Sequence, residues 1–570
     1  MNNIANIITG LVTEKLNFIE LRVFEYFVKE ILNASSQGED SLVFAIFSKP
    51  VNSNIANFCL KVLEKSNLFV LINYSDRFKV LDSKQQGNFL VKYPFVVVVY
   101  ADNGIEFSLN RYFFYRVVCE TQIQAIIAKK NISFDYNVIV NNLDKITDQK
   151  LNQEQKQAII NSIKHSFSII TGGPGVGKTT SIKAFVQLLI TMHPQYQISI
   201  CTPTGKATNR IKELLTIANN DNNLKFSTIH ALLGIYPGYK NINVINSEII
   251  IIDESSMIGL FLLYKLLSAV NLNKIKHIIF IGDVNQLPPV EVGKVFKGMV
   301  DSYPDYVSKL RVNLRSNNSI INLAQYLLAR DSVNFFNSIE LAGDCQIKGI
   351  AIKDILQRFF AVKEPSYYNY LQYLKNINQA GSDSISQDEI MKLFSLYQEF
   401  RVLCLLNIGS YGVIAVNNVI EEILLYYLTE KTEQSKTFDL SLTDSSGQKL
   451  YIGKPIMITK NNQNLKLYNG DIGILVKVEG SYQAAFMNDA NGYHSIPLVL
   501  INNYELAYAL TVHKTQGSEF NKIMLIIPNR HGSEKNNIYS NQMLYTAITR
   551  AKTHLSIFAD HSSLKYMIDH

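Results

Sequence analysis

The sequence has no apolar stretch long enough to cross a bilayer, which takes roughly 20 residues. Its most apolar runs, Phe95 to Val99 and Ile249 to Ile252, are strand-sized. A secretory leader is not expected either, because Glu14 and Lys15 interrupt the start early and no basic segment precedes an apolar block. Cysteine is scarce. The five (Cys59, Cys119, Cys201, Cys345 and Cys404) are scattered, odd in number and form no CxxC. Neither a disulfide framework nor a zinc or iron–sulfur site is therefore expected, and a reducing, cytoplasmic setting fits. Charge of one sign is also modest: 55 Lys and Arg against 48 Asp and Glu leave a net +7, with a pI of 8.8. That is short of the footprint of a simple nucleic-acid binder, about 9 or above. Charge permits a nucleic-acid partner without arguing for one. Only 18% of residues are charged and 47% are hydrophobic. Such a composition excludes a largely disordered chain and supplies several buried cores.

At about 150 residues per domain, 570 residues make roughly three or four domains. No repeat or long low-complexity tract is visible. Residues 1–110 mix short strands with helical spacing (Phe18, Leu21, Phe24, Phe27, Val28, Ile31), which predicts a mainly helical N-terminal domain. Residues 111–150 read as a linker region. From about 150 the texture changes. Short apolar runs alternate with helical patterns at Phe167–Thr171, Ile198–Thr202, Ile249–Asp253 and His277–Gly282, and again at Arg401–Leu406, Lys522–Ile527 and Leu555–Ala559. Strands alternating with helices predict an α/β fold with parallel sheets, here in domains spanning 151–300 and 301–570. Within the second, about 436–505, short alternating runs and turn pairs such as Asn469-Gly470 predict a small all-β insertion. The stretch Glu364 to Glu389 reads as loop and helix of no assignable role.

The strongest local signal is Gly172-Gly173-Pro174-Gly175-Val176-Gly177-Lys178-Thr179, a full match to G-x-x-x-x-G-K-[ST]. It follows the apolar run Ser168 to Ile170 and opens a helical pattern through Thr180, Ile182, Phe185, Val186 and Leu189. Glycines let successive N–H groups face one anion, and a helix N-terminus adds partial positive charge. Lys178 would reach the β- and γ-phosphates, and the Thr179 hydroxyl would ligand Mg²⁺. Downstream, the strand Ile250-Ile251-Ile252 ends in Asp253-Glu254. Taken alone, two solvated acids at a strand end explain that pattern equally well. After a phosphate loop, Asp253 is the Mg²⁺-side acid and Glu254 the base that orients and deprotonates water.

A third element, Gly282-Asp283-Val284-Asn285-Gln286-Leu287-Pro288-Pro289-Val290, again follows an apolar strand. With it come Thr202-Pro203-Thr204-Gly205-Lys206-Ala207, Thr228-Ile229-His230-Ala231, Thr511-Val512-His513-Lys514-Thr515-Gln516-Gly517-Ser518-Glu519-Phe520 and Leu544-Tyr545-Thr546-Ala547-Ile548-Thr549-Arg550. This ordered set resembles superfamily 1 helicases, and within them the RecD-like family of the 1B branch, whose members include the alpha subunit of exodeoxyribonuclease V. Gly453 to Asn461 and Leu467 to Gly473 resemble that family's SH3-like insertion.

The resemblance implies two RecA-like P-loop NTPase domains with ATP and Mg²⁺ between them, driving 5′→3′ movement on single-stranded DNA. Lys178, Thr179, Asp253, Glu254 and Gln286 would come from the first domain. Arg550 and Arg315, with Arg311 as the alternative to Arg315, would reach the γ-phosphate from the second. Gln155, in Leu151-Asn152-Gln153-Glu154-Gln155, would read the adenine edge. Thr204, Gly205, Lys206, Arg210, Thr228 and His230 would line the DNA track on one side and His513, Lys514 and Thr515 on the other. Tyr236 and Tyr239 would lie where the family places a strand-splitting hairpin. Implied partners are duplex DNA ends and RecB-like and RecC-like subunits, with residues 1–110 docking and any nuclease on a partner. Two alternatives stay open. One is a stand-alone or conjugative-type helicase of the same branch, marked by extra domains. The other is a bridging subunit with a decayed ATPase, marked by loss of one of these residues.

Overall fold

The structure is a computed structural model. It describes residues 72–73, 96–101, 104–129, 151–215, 223–235, 242–313, 318–342, 367–380, 384–429, 442–444, 447–462, 464–487, 492–529 and 538–570. These fall into two compact units. One draws on Met1–Lys129, Gly259–Leu272 and Val290–Val295, the other on Lys130–Ile258, Asn273–Pro289 and Phe296–His570.

In the first unit, β1 (Ile72–Asn73), β2 (Val96–Ala101) and β3 (Gly104–Leu109) form a sheet in that order. The β-branched run Val96 to Val99 favours strand over helix. Helix Asn110–Ile127 follows at once and packs on helix Leu260–Ala269, with Tyr115 stacked on Tyr264 at 4.5 Å. One expectation changes here: residues 111–127, read as linker, are helix. Most of residues 1–110, where a mainly helical domain is expected, lies outside the described residues. The helical spacing read between Phe18 and Ile31 lies outside the described residues.

Among the described residues the second unit carries three sheets. The first has six parallel strands: β4 (Phe167–Gly172), β5 (Ile198–Thr202), β6 (Leu224–Thr228), β7 (Ile249–Ile252), β8 (His277–Gly282) and β9 (Val307–Leu310), in the order β6-β5-β7-β8-β4-β9. The four isoleucines of β7 are wholly buried, as parallel strands covered on both faces require. Edge strands β6 and β9 escape the pattern reading because Lys225 and Lys309 break their apolar runs. Strand β9 also lies past residue 300, where the sequence places the domain boundary.

Strand β10 (Phe400–Cys404) begins the second parallel sheet. Before that sheet continues, the chain makes five antiparallel strands: β11 (Pro455–Ile458), β12 (Ile472–Val478), β13 (Ser481–Met487), β14 (Tyr493–Pro497) and β15 (Tyr504–Leu506). Glu479 and Gly480 both take positive φ between β12 and β13, the two-residue turn whose twist suits a hairpin. Strands β16 (Ala509–Thr511), β17 (Phe520–Ile526) and β18 (Ala551–Phe558) then complete the order β16-β10-β17-β18. Alternate residues feed two cores: Val402, Cys404 and Met524 pack into one, and Leu403, Leu405, Ile523 and Leu525 into the other. Both faces of this sheet are thus covered.

Two residues of the stretch Glu364 to Glu389, Tyr367 and Tyr370, join Tyr397 in the first of those cores. Tyr367, Tyr370 and Tyr397 are buried, each contributing on the order of 1.5–3 kcal/mol by burial. Tyr367 Oη donates to the Tyr508 carbonyl at 2.6 Å. The buried Arg401 guanidinium lies over the Tyr397 ring at 3.6 Å and donates to the Ala507 carbonyl at 2.9 Å. Among the described residues no helix is long and apolar enough to cross a membrane, and Cys119, Cys201 and Cys404 are buried free thiols.

Candidate ATP site and nucleic-acid track

Strand β4 ends at Gly172, and the loop Gly173–Gly177 turns into helix Lys178–Met192. Gly175 and Gly177 hold φ of 76° and 81°, which only glycine adopts without strain. A Cβ on Gly172 would stand 2.6 Å from the Leu310 carbonyl, so β9 leaves no room for a side chain there. Gly177 caps the helix with no side-chain bond, and the first-turn N–H groups face the loop's hollow. Lys178 Nζ donates to the carbonyls of Gly172 and Gly173, each at 2.8 Å. The lysine is therefore held over the loop that a phosphate would occupy.

Strand β7 delivers the two acids. The Asp253 amide donates to the Cys201 carbonyl at 3.0 Å, and the Glu254 amide to Asp253 Oδ1 at 2.8 Å. Glu254 sits in the left-handed region at φ 53°, a conformation costing a non-glycine residue of order 1 kcal/mol and clustering at functional sites. Desolvation, then the Glu254 charge, pushes the Asp253 carboxyl up to about 6, opposed by Lys178. After β8, burial likewise raises the Asp283 carboxyl, again opposed by Lys178. Gln286 is buried, its Nε2 3.5 Å from Asp283 Oδ2. Its Oε1 has no hydrogen-bond partner among the described residues.

The second parallel-sheet domain closes on these groups. Tyr545 Oη donates to Asp283 Oδ2 at 3.0 Å, and the Leu287 amide to Thr546 Oγ1 at 2.8 Å. Gln516 Nε2 donates to the Leu287 carbonyl at 3.4 Å. Arg550 is buried, donating to the carbonyls of Thr546 and Ser518 at 3.2 and 3.0 Å. Burial lowers its guanidinium below the ordinary range, countered first by Glu254 and then by Glu519. Between the domains lies a cavity of about 380 Å³ lined by Gly172, Gly173, Pro174, Val176, Asn285, Arg311, Asn313, Tyr545 and Lys552 among others, a volume in the range of small-molecule sites. Arg311 thus lines the cavity, whereas Arg315 lies outside the described residues. Among the described residues no cluster of three or more acids, histidines or cysteines could hold a metal. A Mg²⁺ bound mainly through phosphate and water needs only one or two protein oxygens, and Thr179 and Asp253 are suited to give them.

Several sequence-assigned residues are engaged with other parts of the protein. Gln155 is fully buried. Its Oε1 accepts from the Asn152 amide at 2.9 Å and its Nε2 donates to the Gly177 carbonyl at 3.2 Å. Its Nε2 braces the phosphate loop while its Oε1 closes the capping box of its own helix. Thr204 and Thr228 cap helices, accepting from Ala207 and Ala231. Thr515 is wholly buried and its hydroxyl donates to Val512 O at 2.8 Å, which removes it from the track surface. Arg210 pairs with Glu519 at 3.0 Å and donates to the Gly517 carbonyl at 3.1 Å, tying the two domains together.

The other residues assigned to the track differ in their exposure. His230 is exposed rather than a core histidine. Lys514 is accessible, while burial lowers the half-buried His513 below its ordinary value. Burial, then Arg401, lowers Lys206 to about 8, while Asp471 opposes the shift. Gly205 faces the Tyr468 ring. Tyr236 and Tyr239 lie outside the described residues.

Residues 155–292 match the family described as an AAA domain, and residues 506–558 the UvrD-like helicase C-terminal domain. The chain is 32% identical to the RecBCD enzyme subunit RecD of Buchnera aphidicola from Acyrthosiphon pisum, over 73% of this chain and 74% of that protein. The chain belongs to the RecD family. The corresponding subunit of Buchnera from Schizaphis graminum is 30% identical, over 80% and 81% of the two chains, and that of Haemophilus influenzae 29%, over 77% and 74%. This RecD-family chain is an ATP-dependent DNA helicase. A solved structure of two coordinating Pif1 helicases aligns with a TM-score of 0.40 at 16% identity, over 73% of this chain and 94% of that one. That likeness is too loose to bear on the fold, which rests on the strand order itself. Tyr545, Thr546, Asn313 and Glu154 were not assigned roles from sequence. Glu154 accepts from the amides of Arg311 and Val312 at 2.6 and 3.0 Å, and no spacing rule announces such a contact.

Proposed function

We propose that the chain is the 5′→3′ motor subunit of a RecBCD-type helicase–nuclease that works with RecB-like and RecC-like partners on duplex DNA ends, in double-strand break repair and recombination. The carrying observation is the cavity between the two parallel-sheet domains, with the phosphate loop on one wall and Tyr545, Thr549 and Lys552 on the other. A nucleotide bridging those walls favours the closed arrangement, and its hydrolysis weakens the bridge. Alternating closure moves two grips on one strand relative to each other.

In this reading Lys178 leaves the Gly172 and Gly173 carbonyls for the β- and γ-phosphates. Mg²⁺, when bound, neutralises developing phosphate charge. Glu254 orients water and takes its proton. Gln286, with a buried unpartnered acceptor, senses that water or the γ-phosphate. Arg550, with Arg311 at the cavity wall, adds positive charge once the domains close. Lys206 and Lys514 grip phosphates of the single strand, with His230 and His513 beside them, so sequence preference is weak and salt dependence steep. The antiparallel strands β11–β15 correspond to the family's SH3-like insertion.

The test is Lys178→Gln. It abolishes DNA-stimulated ATP hydrolysis and unwinding while single-strand binding persists. Hydrolysis at the wild-type rate would overturn the site assignment.

A further inference from the structure

Two lysines assigned to the DNA track come from different parallel-sheet domains; one, Lys514, is ion-paired with an acid of the antiparallel insertion, and the other, Lys206, feels the charge of a second. Lys514 stands on the short turn His513–Thr515 after β16. Its Nζ is 2.5 Å from Glu505 Oε1 on β15, the edge strand beside β11. The two side chains are 32% and 31% exposed, so solvent and ligands reach the pair. On the other domain, Lys206 follows Gly205, and a Cβ on Gly205 would stand 3.7 Å from the Tyr468 ring. Asp471 closes that same turn, accepting from the Tyr468 amide at 2.7 Å, and its charge acts on Lys206.

A carboxylate and a phosphate are both anionic acceptors of charge-assisted bonds from ammonium groups. An ammonium paired with one must leave it to bind the other. We propose that Glu505 is a positioning residue that holds Lys514 in the place a DNA phosphate takes, so that single-stranded nucleic acid binds by displacing Glu505. This rests on the track assignment given above. The insertion is then more than a structural rider on the second domain. It sets how strongly the empty track resists a strand at Lys514.

The test uses the full chain and a fluorescein-labelled oligo-dT, with binding read by anisotropy over a range of salt. Exposed ion pairs have modest strength, so Glu505→Gln tightens binding by about 1.5- to fivefold. Its salt dependence steepens, because Lys514 then trades a counterion for the phosphate rather than a protein carboxylate. In a Lys514→Ala background, Glu505→Gln gives no gain, since the effect runs through that lysine. Unchanged or weaker binding by Glu505→Gln, at unaltered melting temperature, would overturn the proposal. So would an equal gain in the Lys514→Ala background, which would make it a bulk charge effect. Failure of the wild-type chain to bind single strands would overturn the track assignment itself, and the displacement proposal with it.

Discussion

Replacing Thr546 with valine isolates domain closure from nucleotide chemistry. Thr546 is fully buried, and its hydroxyl accepts from the Leu287 amide across the two domains at 2.8 Å while donating to the Gln542 carbonyl in its own helix at 2.8 Å. Valine keeps the shape and removes the acceptor. In the closed form the Leu287 N–H is then buried without its partner, at a cost of about 1–3 kcal/mol. When the domains part, water satisfies that N–H, so the penalty falls on closure rather than on the fold of either domain. At about 1.4 kcal/mol per tenfold, closure is disfavoured by about 5- to 150-fold. Steady-state DNA-stimulated ATPase assays should show kcat falling at least about fivefold at saturating ATP, with circular dichroism unchanged. A kcat within twofold of wild type would refute the idea that this contact carries closure.

The remaining predictions concern charge. Glu254→Gln should bind ATP but hydrolyse it slowly, so loss of nucleotide binding by an intact fold would count against a base role. Asp253, raised to about 6, carries below that pH a proton that a cation must displace. The Mg²⁺ concentration for half-maximal ATPase should therefore climb as pH falls from about 7.5 to 5.5, and a flat response would remove Asp253 from the metal site. Lys206, lowered to about 8, loses its charge as pH rises through that value. Single-strand affinity should fall between about pH 7 and 9, and Lys206→Arg should abolish the decline.

Much of the core was legible because its signals are periodic. Five central strands, β4, β5, β7, β8 and β10, are runs of buried apolar residues between helical patterns, and each was read within a residue or two. Three edge strands were not legible: β6 and β9 carry exposed lysines, and β16 has only three residues. At the site, residues bound by loop chemistry were read from spacing alone, as with Gly172 to Thr179. Spacing could not tell that Thr515 turns inward or that the Gln155 Nε2 donates to the phosphate loop. Those outcomes depend on tertiary contacts such as Gln155 to Gly177. The contacts that couple the domains, Tyr545 with Asp283 and Arg210 with Glu519, join residues far apart in the chain, and no local pattern encodes them.

In the proposed reading the protein is a directional motor driven by ATP at the inter-domain cavity. Unwinding by the purified chain, with ATP and Mg²⁺, of duplexes bearing either a 5′ or a 3′ single-stranded tail tests it most directly. Unwinding of the 5′-tailed duplex alone, lost in Lys178→Gln, is the predicted result. Unwinding from the 3′ tail, or undiminished unwinding by Lys178→Gln, would contradict it.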